Sequence, residues 1–178
     1  MATIKNISTF KLKILVVSVI LLSLVSCKIS YKFNGSLIDY TKTKTISISD
    51  FPNTAELVFQ PLSQEFSEAL RDVFTKQTRL QLLKRGGDLH LEGEIVGYQL
   101  TPLAISADSY ASQTKLTLTI RVRFTNVKNP EEDIDNKTYT TFQTFDSSLL
   151  LTNVQDALIK QMIADIVDNI YNDTMAKW

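Results

Sequence analysis

The chain has 178 residues, 44% of them hydrophobic, and its 19 basic residues are balanced by 19 acidic ones. This length is enough for one domain of ordinary size. A chain without net positive charge has no general attraction for nucleic acid or for an anionic membrane, so any anion-binding site must be local. With one histidine, one cysteine, no glycine-rich phosphate loop and no nucleophile motif, the sequence indicates neither an enzyme nor a cofactor.

The first 26 residues have the three parts of an export signal. Lys5, Lys11 and Lys13 supply positive charge, an apolar stretch follows over residues 14–25, and small residues precede Cys27. As a helix, the apolar stretch would rise about 18 Å, against a hydrocarbon core about 30 Å thick. We therefore expect residues 1–26 to be a cleaved signal rather than a membrane span.

The run Leu24-Val25-Ser26-Cys27 resembles a lipobox, the motif at which a bacterial lipoprotein is cut and its cysteine receives diacylglycerol. Two or three acyl chains give lasting membrane attachment, whereas one chain binds only marginally. Because Cys27 is the only cysteine, we expect no internal disulfide in the exported protein. The expected mature chain starts at Cys27, has 152 residues and carries 16 basic against 19 acidic side chains, a net charge of −3.

Residues 27–42 show little periodicity and contain Asn34-Gly35-Ser36, which predicts a lipid-anchored tether ahead of a single domain over residues 43–178. The domain opens with a half-buried strand at about residues 43–49, since Ile46 and Ile48 alternate there with polar side chains.

A helix is predicted from Pro61 to about Thr78, because proline suits the first helical position and apolar residues follow at helical spacing. Its apolar stripe consists of Leu62, Phe66, Ala69, Leu70, Val73 and Phe74. A short apolar segment at residues 80–83 then meets the turn signal Gly86-Gly87-Asp88, so we expect a hairpin with the strand that follows.

Two long alternating strands dominate the middle of the chain. Their apolar positions are Leu89, Leu91, Gly93 and Ile95 in the first, and Leu116, Leu118, Ile120, Val122 and Phe124 in the second. The other face of the second strand carries Lys115, Thr117, Thr119, Arg121 and Arg123. One apolar face and one polar face are typical of an antiparallel sheet that is covered on one side only.

Another strand is predicted over about residues 137–145, and a final helix opens at Thr152 or Asn153 with Gln155 placed for a capping box. The order is therefore strand, helix, three or four strands, helix, in the pattern β-α-β-β-β-α. This order predicts an α+β two-layer sandwich, in which two helices cover one face of a mainly antiparallel, four- to five-stranded sheet.

Several segments together resemble a divergent branch of the LptE family of lipopolysaccharide-assembly lipoproteins. The resemblance covers nearly all of the expected mature chain, including the closing helix and the terminal Trp178, although most of the matching positions are core or turn residues. The segments are residues 50–53 (Asp-Phe-Pro-Asn), 62–70, 87–89 with 92–95, 102–107 (Pro-Leu-Ala-Ile-Ser-Ala) and 145–147.

The resemblance implies an outer-membrane, lipid-anchored and periplasm-facing protein that plugs a large β-barrel partner, an LptD-like lipopolysaccharide-assembly protein, and helps assemble the translocon. A polar sheet face fits such a role because the lumen of a large barrel is polar. The alternative is a free periplasmic carrier or chaperone that binds a lipid in a pocket of its own, which requires an enclosed cavity.

The family also implies contact with lipopolysaccharide, whose phosphates suit arginine and lysine donors. The candidate ligand-binding residues in this sequence are Lys84, Arg85, Lys115, Arg121 and Arg123. The competing interpretation is a solvated charged rim, since isolated surface cations are common.

His90, Glu92 and Glu94 share one strand face and raise the hypothesis of a metal site. Neighbours on a strand face lie about 6.6 Å apart, so three such side chains converge poorly on one ion, and we expect no metal. Cross-strand pairing explains them better: a register that places Glu92 opposite Arg121 and His90 opposite Arg123 forms charge pairs across the hairpin.

The connection over residues 101–113 carries apolar side chains with no strand to cover them, and long loops are often functional. Its candidate partner-contact residues are Pro102, Leu103, Ile105 and Tyr110. Exposed apolar residues on a loop commonly mark an interface, while packing back onto the sheet is the other interpretation.

Overall fold

A computed structural model describes residues 38–103 and 112–176. Within these ranges the order of elements is β1 (Thr45–Ile48), α1 (Leu62–Gln77), β2 (Gln81–Leu83), β3 (Leu89–Pro102), β4 (Gln113–Asn126), a 3₁₀ turn (Pro130–Glu132), β5 (Ile134–Asp146) and α2 (Leu151–Met175). Cys27, Ile105, Tyr110 and Trp178 lie outside the described residues.

The long strands form because their side chains alternate between a buried and an exposed face. On β4, Arg121 and Arg123 are exposed, and the residues between and around them are buried: Leu116, Leu118, Ile120, Val122 and Phe124. Antiparallel ladders join β4 to β3 on one side and to β5 on the other. The predicted polar and apolar faces are confirmed.

The sheet has the strand order β2-β1-β3-β4-β5. Its long pairings are antiparallel, as expected, but β1 runs parallel to both of its neighbours, β2 and β3. The hairpin predicted between residues 80–83 and β3 is therefore wrong, because β1 lies between them.

The turn signal at Gly86-Gly87-Asp88 packs against β1 instead of closing a hairpin. A Cβ on Gly87 would lie 3.1 Å from backbone atoms of Ile46 and Ser47, so only glycine lets β1 approach this closely. The Asp88 carboxylate accepts hydrogen bonds from the backbone amides of Lys44 at 2.9 Å and Thr45 at 3.2 Å. These contacts hold the start of β1 beside β3.

The helices α1 and α2 cover the apolar face of the sheet and share one core with it. The residues that α1 buries are Leu62, Phe66, Ser67, Leu70 and Phe74, and those of α2 include Ile159, Met162, Ile163, Ile166, Val167 and Ile170. The predicted two-layer α+β sandwich is confirmed. Neither α1 nor α2 combines the length and apolarity that crossing a bilayer requires.

The capping box predicted for the final helix is wrong. The helix begins at Leu151, and its N-cap Leu150 makes no side-chain capping bond. Gln155 instead donates its amide to the hydroxyl of Tyr98 at 2.8 Å. Tyr98 is only 3% exposed, and a buried hydroxyl needs a polar partner. Gln155 therefore contributes to packing between α2 and β3.

Phe51, which follows β1, joins the two layers. Its ring is fully buried and meets Phe66 of α1 edge to face, with 5.1 Å between ring centroids. Its backbone amide donates to Ser67 Oγ at 3.0 Å, and its carbonyl accepts from Ser63 Oγ at 2.6 Å. Two serines one turn apart on α1 thus hold this residue against the sheet. Its ring rests on Gly93 of β3.

Replacing Gly93 by alanine tests this contact. A Cβ at Gly93 would clash with both the Phe51 ring and the carbonyl oxygen of Arg121, and the latter belongs to a paired strand that cannot move freely. We expect Gly93→Ala to lower the free energy of unfolding by about 1–3 kcal/mol, as overpacking in cores does. Urea unfolding measures this change.

The matched control is Gly86→Asn. Gly86 has φ +62°, and nothing lies within 4 Å of the position its Cβ would take. Asparagine tolerates this left-handed conformation better than other side chains, so the control should stay close to wild type. Equal midpoints for Gly93→Ala and wild type would contradict the packing of Phe51 on Gly93.

Asp88 predicts a pH dependence of stability. The hydrogen bond from the Lys44 amide, supported by Thr45 and Lys128, lowers the pKa of Asp88 to about 2, from its ordinary value of 3.8. A carboxyl whose pKa is lower in the folded state stabilises the fold above the unfolded pKa and loses that contribution as the pH falls toward the folded pKa.

We expect Asp88→Asn to be less stable than wild type at pH 7. The difference in stability between Asp88→Asn and wild type should narrow as the pH falls from about 4 to about 2, because the wild-type carboxyl then becomes neutral as well. Unfolding midpoints across this range measure it, and comparison with wild type cancels the effect of the other carboxyls. A constant difference would show that Asp88 acts without its charge.

Candidate functional site on the polar face of the sheet

The open face of β3, β4 and β5 is polar and regular. Arg121 of β4 lies between Glu94 of β3 and Thr138 of β5, and Thr119 lies between Gly97 and Thr140. A register shift between Ile95 and Gly97 keeps polar side chains on this face along the full length of β3. Neither α1 nor α2 covers it, since both helices pack on the apolar face.

Arg121 and Arg123 are held by carboxylates. Arg121 pairs with Glu94 at 2.8 Å, and Arg123 pairs with Asp135 at 3.1 Å and more distantly with Glu92 at 3.8 Å. These side chains are roughly half-exposed, and such pairs each contribute about 0–1 kcal/mol. Their main effect is to orient the two guanidinium groups on the open face.

The register predicted from the charges is wrong by two residues. Glu92 lies opposite Arg123 rather than Arg121, and His90 lies opposite Thr125 rather than Arg123. Both registers match the apolar faces, because a two-residue slip leaves every side chain on its own side. The observed register gives Glu92 and Glu94 an arginine each, whereas the predicted one would have set His90 against a cation.

His90 is bound on both ring nitrogens. Nδ1 lies 2.8 Å from Ser47 Oγ, and Nε2 lies 3.1 Å from Glu92 Oε2. Glu94 is paired with Arg121 instead of pointing to the same spot. In residues 38–103 and 112–176, no three histidine, cysteine or acidic side chains are placed to hold one metal ion.

Four of the predicted ligand-binding cations line two adjoining cavities. Arg121 and Arg123 line one of about 380 Å³, and Lys84 and Arg85 line another of about 510 Å³. Both cavities share Ser49 and Asp50, the residues that follow β1.

Arg71 joins this group although the sequence pattern placed it only on the polar side of α1. It lines the second cavity and forms an ion pair with Asp50. We call Arg71, Lys84, Arg85, Arg121 and Arg123 the basic cluster. Its five cations exceed the three carboxylates in the same cavity walls, Asp50, Glu92 and Glu94, together with Asp135, which pairs with Arg123. The excess makes this a region of local positive charge.

Lys84 and Arg85 differ from the other members of the basic cluster. Among the described residues, neither has an ion-pair partner, and both are placed by the turn after β2. Free cations on a turn can reach an incoming anion without first leaving a carboxylate. The apolar Leu82, 38% exposed, lies in the same cavity wall.

Lys115, the fifth predicted cation, does not join the basic cluster. Its ammonium group lies 5.6 Å from the centroid of the Phe142 ring on β5, a cation–π distance. Phe142 is 58% exposed, which is unusual for a phenylalanine on a polar sheet face.

Several apolar residues are exposed at one end of the sheet. Pro102 is exposed, and Leu103 is half-buried with its amide donating to the Gln113 carbonyl at 2.8 Å. The segment after β5 adjoins them, since Ser147 N donates to the Ser112 carbonyl at 3.0 Å. It carries Leu149 and Leu150, which are 46% and 69% exposed.

Leu100, near the end of β3, is 37% exposed. We call Leu100, Pro102, Leu103, Leu149 and Leu150 the apolar end. Sequence reasoning found Pro102 and Leu103 but missed the two leucines after β5. The sequence pattern that could have indicated them is the pair of adjacent leucines directly before the final helix.

The described domain is similar in fold to solved protein structures. No curated protein matches the sequence. A structure of the hypothetical protein CT253 from Chlamydia trachomatis is similar with a TM-score of 0.51 and 13% identity, over 74% of this chain and 98% of that one. Lipoprotein B from Nitrosomonas europaea, described as uncharacterised, has a TM-score of 0.50 and 14% identity, over 72% of this chain and 79% of that one. At these identities the likeness concerns the fold.

The family comparison covers most of the domain. The LptE family, described as lipopolysaccharide-assembly, matches residues 43–174, from just before β1 to the last turn of α2. The match spans the strands that carry the polar face, the basic cluster and the apolar end. The chain therefore belongs to the LptE lipopolysaccharide-assembly family.

Proposed function

We propose that this protein is an outer-membrane lipoprotein, anchored through Cys27 and facing the periplasm, that occupies the lumen of a large LptD-like β-barrel and helps assemble the lipopolysaccharide translocon. The observation that carries the proposal is the bare polar face of β3, β4 and β5, which has paired charges and threonines but no covering layer among the described residues. The family places the protein in lipopolysaccharide assembly.

A polar lumen is a suitable environment for that face. Barrel interiors present polar side chains, so threonine hydroxyls and oriented guanidinium groups find hydrogen-bond partners there. Within the described residues, Thr119 Oγ1 and Thr140 Oγ1 lie 3.2 Å apart, which leaves lone pairs and protons available for further bonds.

The apolar end supplies the contact energy that a polar face lacks. Burial of exposed leucine side chains contributes about 25 cal/mol per Å² of apolar surface removed from water. Pro102 and Leu103 precede residues 104–111, so Ile105 and Tyr110 extend the same proposed contact along the sequence.

The alternative, a free lipid carrier, needs an enclosed apolar cavity. The space between the sheet and α1 and α2 is filled by core side chains such as Phe51, Phe66, Phe74 and Phe124, each fully buried. Within the described residues, these packed rings leave no room for a lipid between the two layers, which counts against the carrier.

Copurification tests the barrel partner. We expect a tagged full-length protein, extracted in detergent from outer membranes, to bring down a large β-barrel, with its mature mass showing acyl chains on Cys27. Leu150→Glu should reduce barrel recovery, because a carboxylate at the apolar end must be desolvated on contact.

Val127→Glu is the matched control. Val127 is 63% exposed, comparable to Leu150, but it lies near Asp88 and far along β4 from the apolar end. Its barrel recovery should equal that of wild type. Wild-type protein that purifies without a barrel, or both variants behaving alike, would contradict the proposal.

Lipopolysaccharide contact at the basic cluster is the second part of the proposed function. The phosphates of lipopolysaccharide would meet Lys84 and Arg85 first, because these cations are unpaired within the described part of the chain. Arg121 and Arg123 would exchange their carboxylates for phosphate oxygens, and Lys115 would act separately beside Phe142.

We expect Lys84→Glu combined with Arg85→Glu to weaken lipopolysaccharide binding about tenfold or more, since charge-assisted hydrogen bonds contribute about 1.5–3 kcal/mol each. Arg121→Glu combined with Arg123→Glu should weaken it less, because those cations are partly neutralised already. Lys42→Glu with Arg79→Glu, at two exposed cations outside both cavity walls, matches the charge change and serves as control. Equal affinities for all three double variants would remove the basic cluster as the site.

A further inference from the structure

A groove of about 850 Å³ runs between the outer surfaces of α1 and α2. Its floor is made of small and aliphatic side chains: Ala69, Val73, Ile163, Ala164 and Val167. Small residues allow a helix backbone to approach closely. Ala164 is exposed, and Ala69 and Val73 are partly exposed, so the floor is in contact with solvent.

The walls of the groove are acidic. Five carboxylates line it, against three cations: Glu65, Glu68, Asp72, Asp156 and Asp168 against Arg71, Lys76 and Lys160. Two of the cations are already engaged, since Lys76 pairs with Asp72 at 2.7 Å and Arg71 pairs with Asp50.

Four carboxylates in the walls therefore remain without a cation among the described residues: Glu65, Glu68, Asp156 and Asp168. The nearest compensation is the single amine of Lys160. Like charges around a low-dielectric floor concentrate a negative potential in the groove.

We propose that this groove docks a basic amphipathic helix of a partner protein. The lining residues extend from Glu65 to Gln77 on α1 and from Asp156 to Asp168 on α2. Each stretch rises about 18 Å, which is the length of a helix of about 12 residues. Such a helix would lay a stripe of small or apolar residues on the floor and place lysines or arginines against both walls.

The charge of the groove decides between occupants. A symmetric contact with a second copy of the chain would bring one acidic groove wall against another, and an anionic lipid would meet the same repulsion. A cationic helix gains from all four unpaired carboxylates. The groove lies on the helix layer and adjoins the basic cluster through Arg71 of α1, which lines both.

Peptide binding tests the proposal directly. The full chain in detergent micelles is titrated into two labelled peptides of about 12 residues, both with an alanine and leucine stripe, one flanked by lysines and the other by glutamates. We expect fluorescence anisotropy to show binding of the lysine peptide alone, and the binding to weaken as salt is raised, because exposed charges are screened.

Two pairs of variants distinguish peptide binding in the groove from a general effect of surface charge. Asp168→Lys should weaken binding of the lysine peptide about tenfold, since it replaces an attractive wall charge by a repulsive one. Asp165→Lys makes the same charge change on α2 outside the groove and should have little effect. Ala164→Trp should abolish binding by filling the floor, whereas Gln161→Trp, exposed and outside the groove, should not.

A photocrosslinking side chain at position 164 identifies the occupant in cells. A crosslinked peptide that is helical in period and rich in lysine or arginine supports the proposal. Crosslinks to a second copy of this chain, or to lipid, would overturn it. Equal binding of both peptides in vitro, or equal effects of Asp168→Lys and Asp165→Lys, would overturn it as well.

Discussion

The placement of Phe51 between α1 and β3 is the contact on which the two-layer arrangement depends. Its ring fills the gap over Gly93, and its backbone amide and carbonyl are bound by Ser67 and Ser63 of α1. One residue thus satisfies its own buried polar groups and brings a helix onto the sheet. The segment continues along β3, with Ile95 donating its amide to the Pro52 carbonyl at 2.9 Å, so the position of α1 is linked to the central strands.

Because both helices lie on one side, the molecule presents surfaces of opposite character. The basic cluster lies near the end of β1, the helix layer carries an acidic groove, and Arg71 of α1 lines both. The apolar end is a third surface, where the β3–β4 connection meets the segment after β5. For a member of a lipopolysaccharide-assembly family, separate surfaces allow anionic lipid, barrel wall and other partners to be distinguished by charge.

Much of this architecture can be predicted from the periodicity of apolar residues in the sequence. The features that could not be predicted depend on contacts between residues distant in sequence. The stripe of α1 and the alternation of β4 were readable because each repeats within a few residues. The register of β3 against β4 could not be predicted in this way, since a slip of two residues keeps every side chain on the same face of the sheet. The partner of Gln155 is Tyr98, 57 residues away, and β1 inserts between β2 and β3 although no local signal marks it. In the candidate site, Lys84, Arg85, Lys115, Arg121 and Arg123 were named as cations because the family resemblance implied an anionic ligand. Lys115 does not join the cluster, and Arg71 becomes visible only when Asp50 is placed beside it.

The position of β1 inside the sheet, between β2 and β3, has a mechanical consequence. β1 is paired on both sides, with β2 and with β3, and the Asp88 carboxylate binds the amides of Lys44 and Thr45 at the strand's N-terminal end. If the chain is tethered to a membrane through its N-terminus, as proposed, tension along the tether reaches a strand that is paired on both sides rather than an edge strand. The load would then act in shear on two ladders at once, which resist together, instead of peeling hydrogen bonds one at a time from an edge.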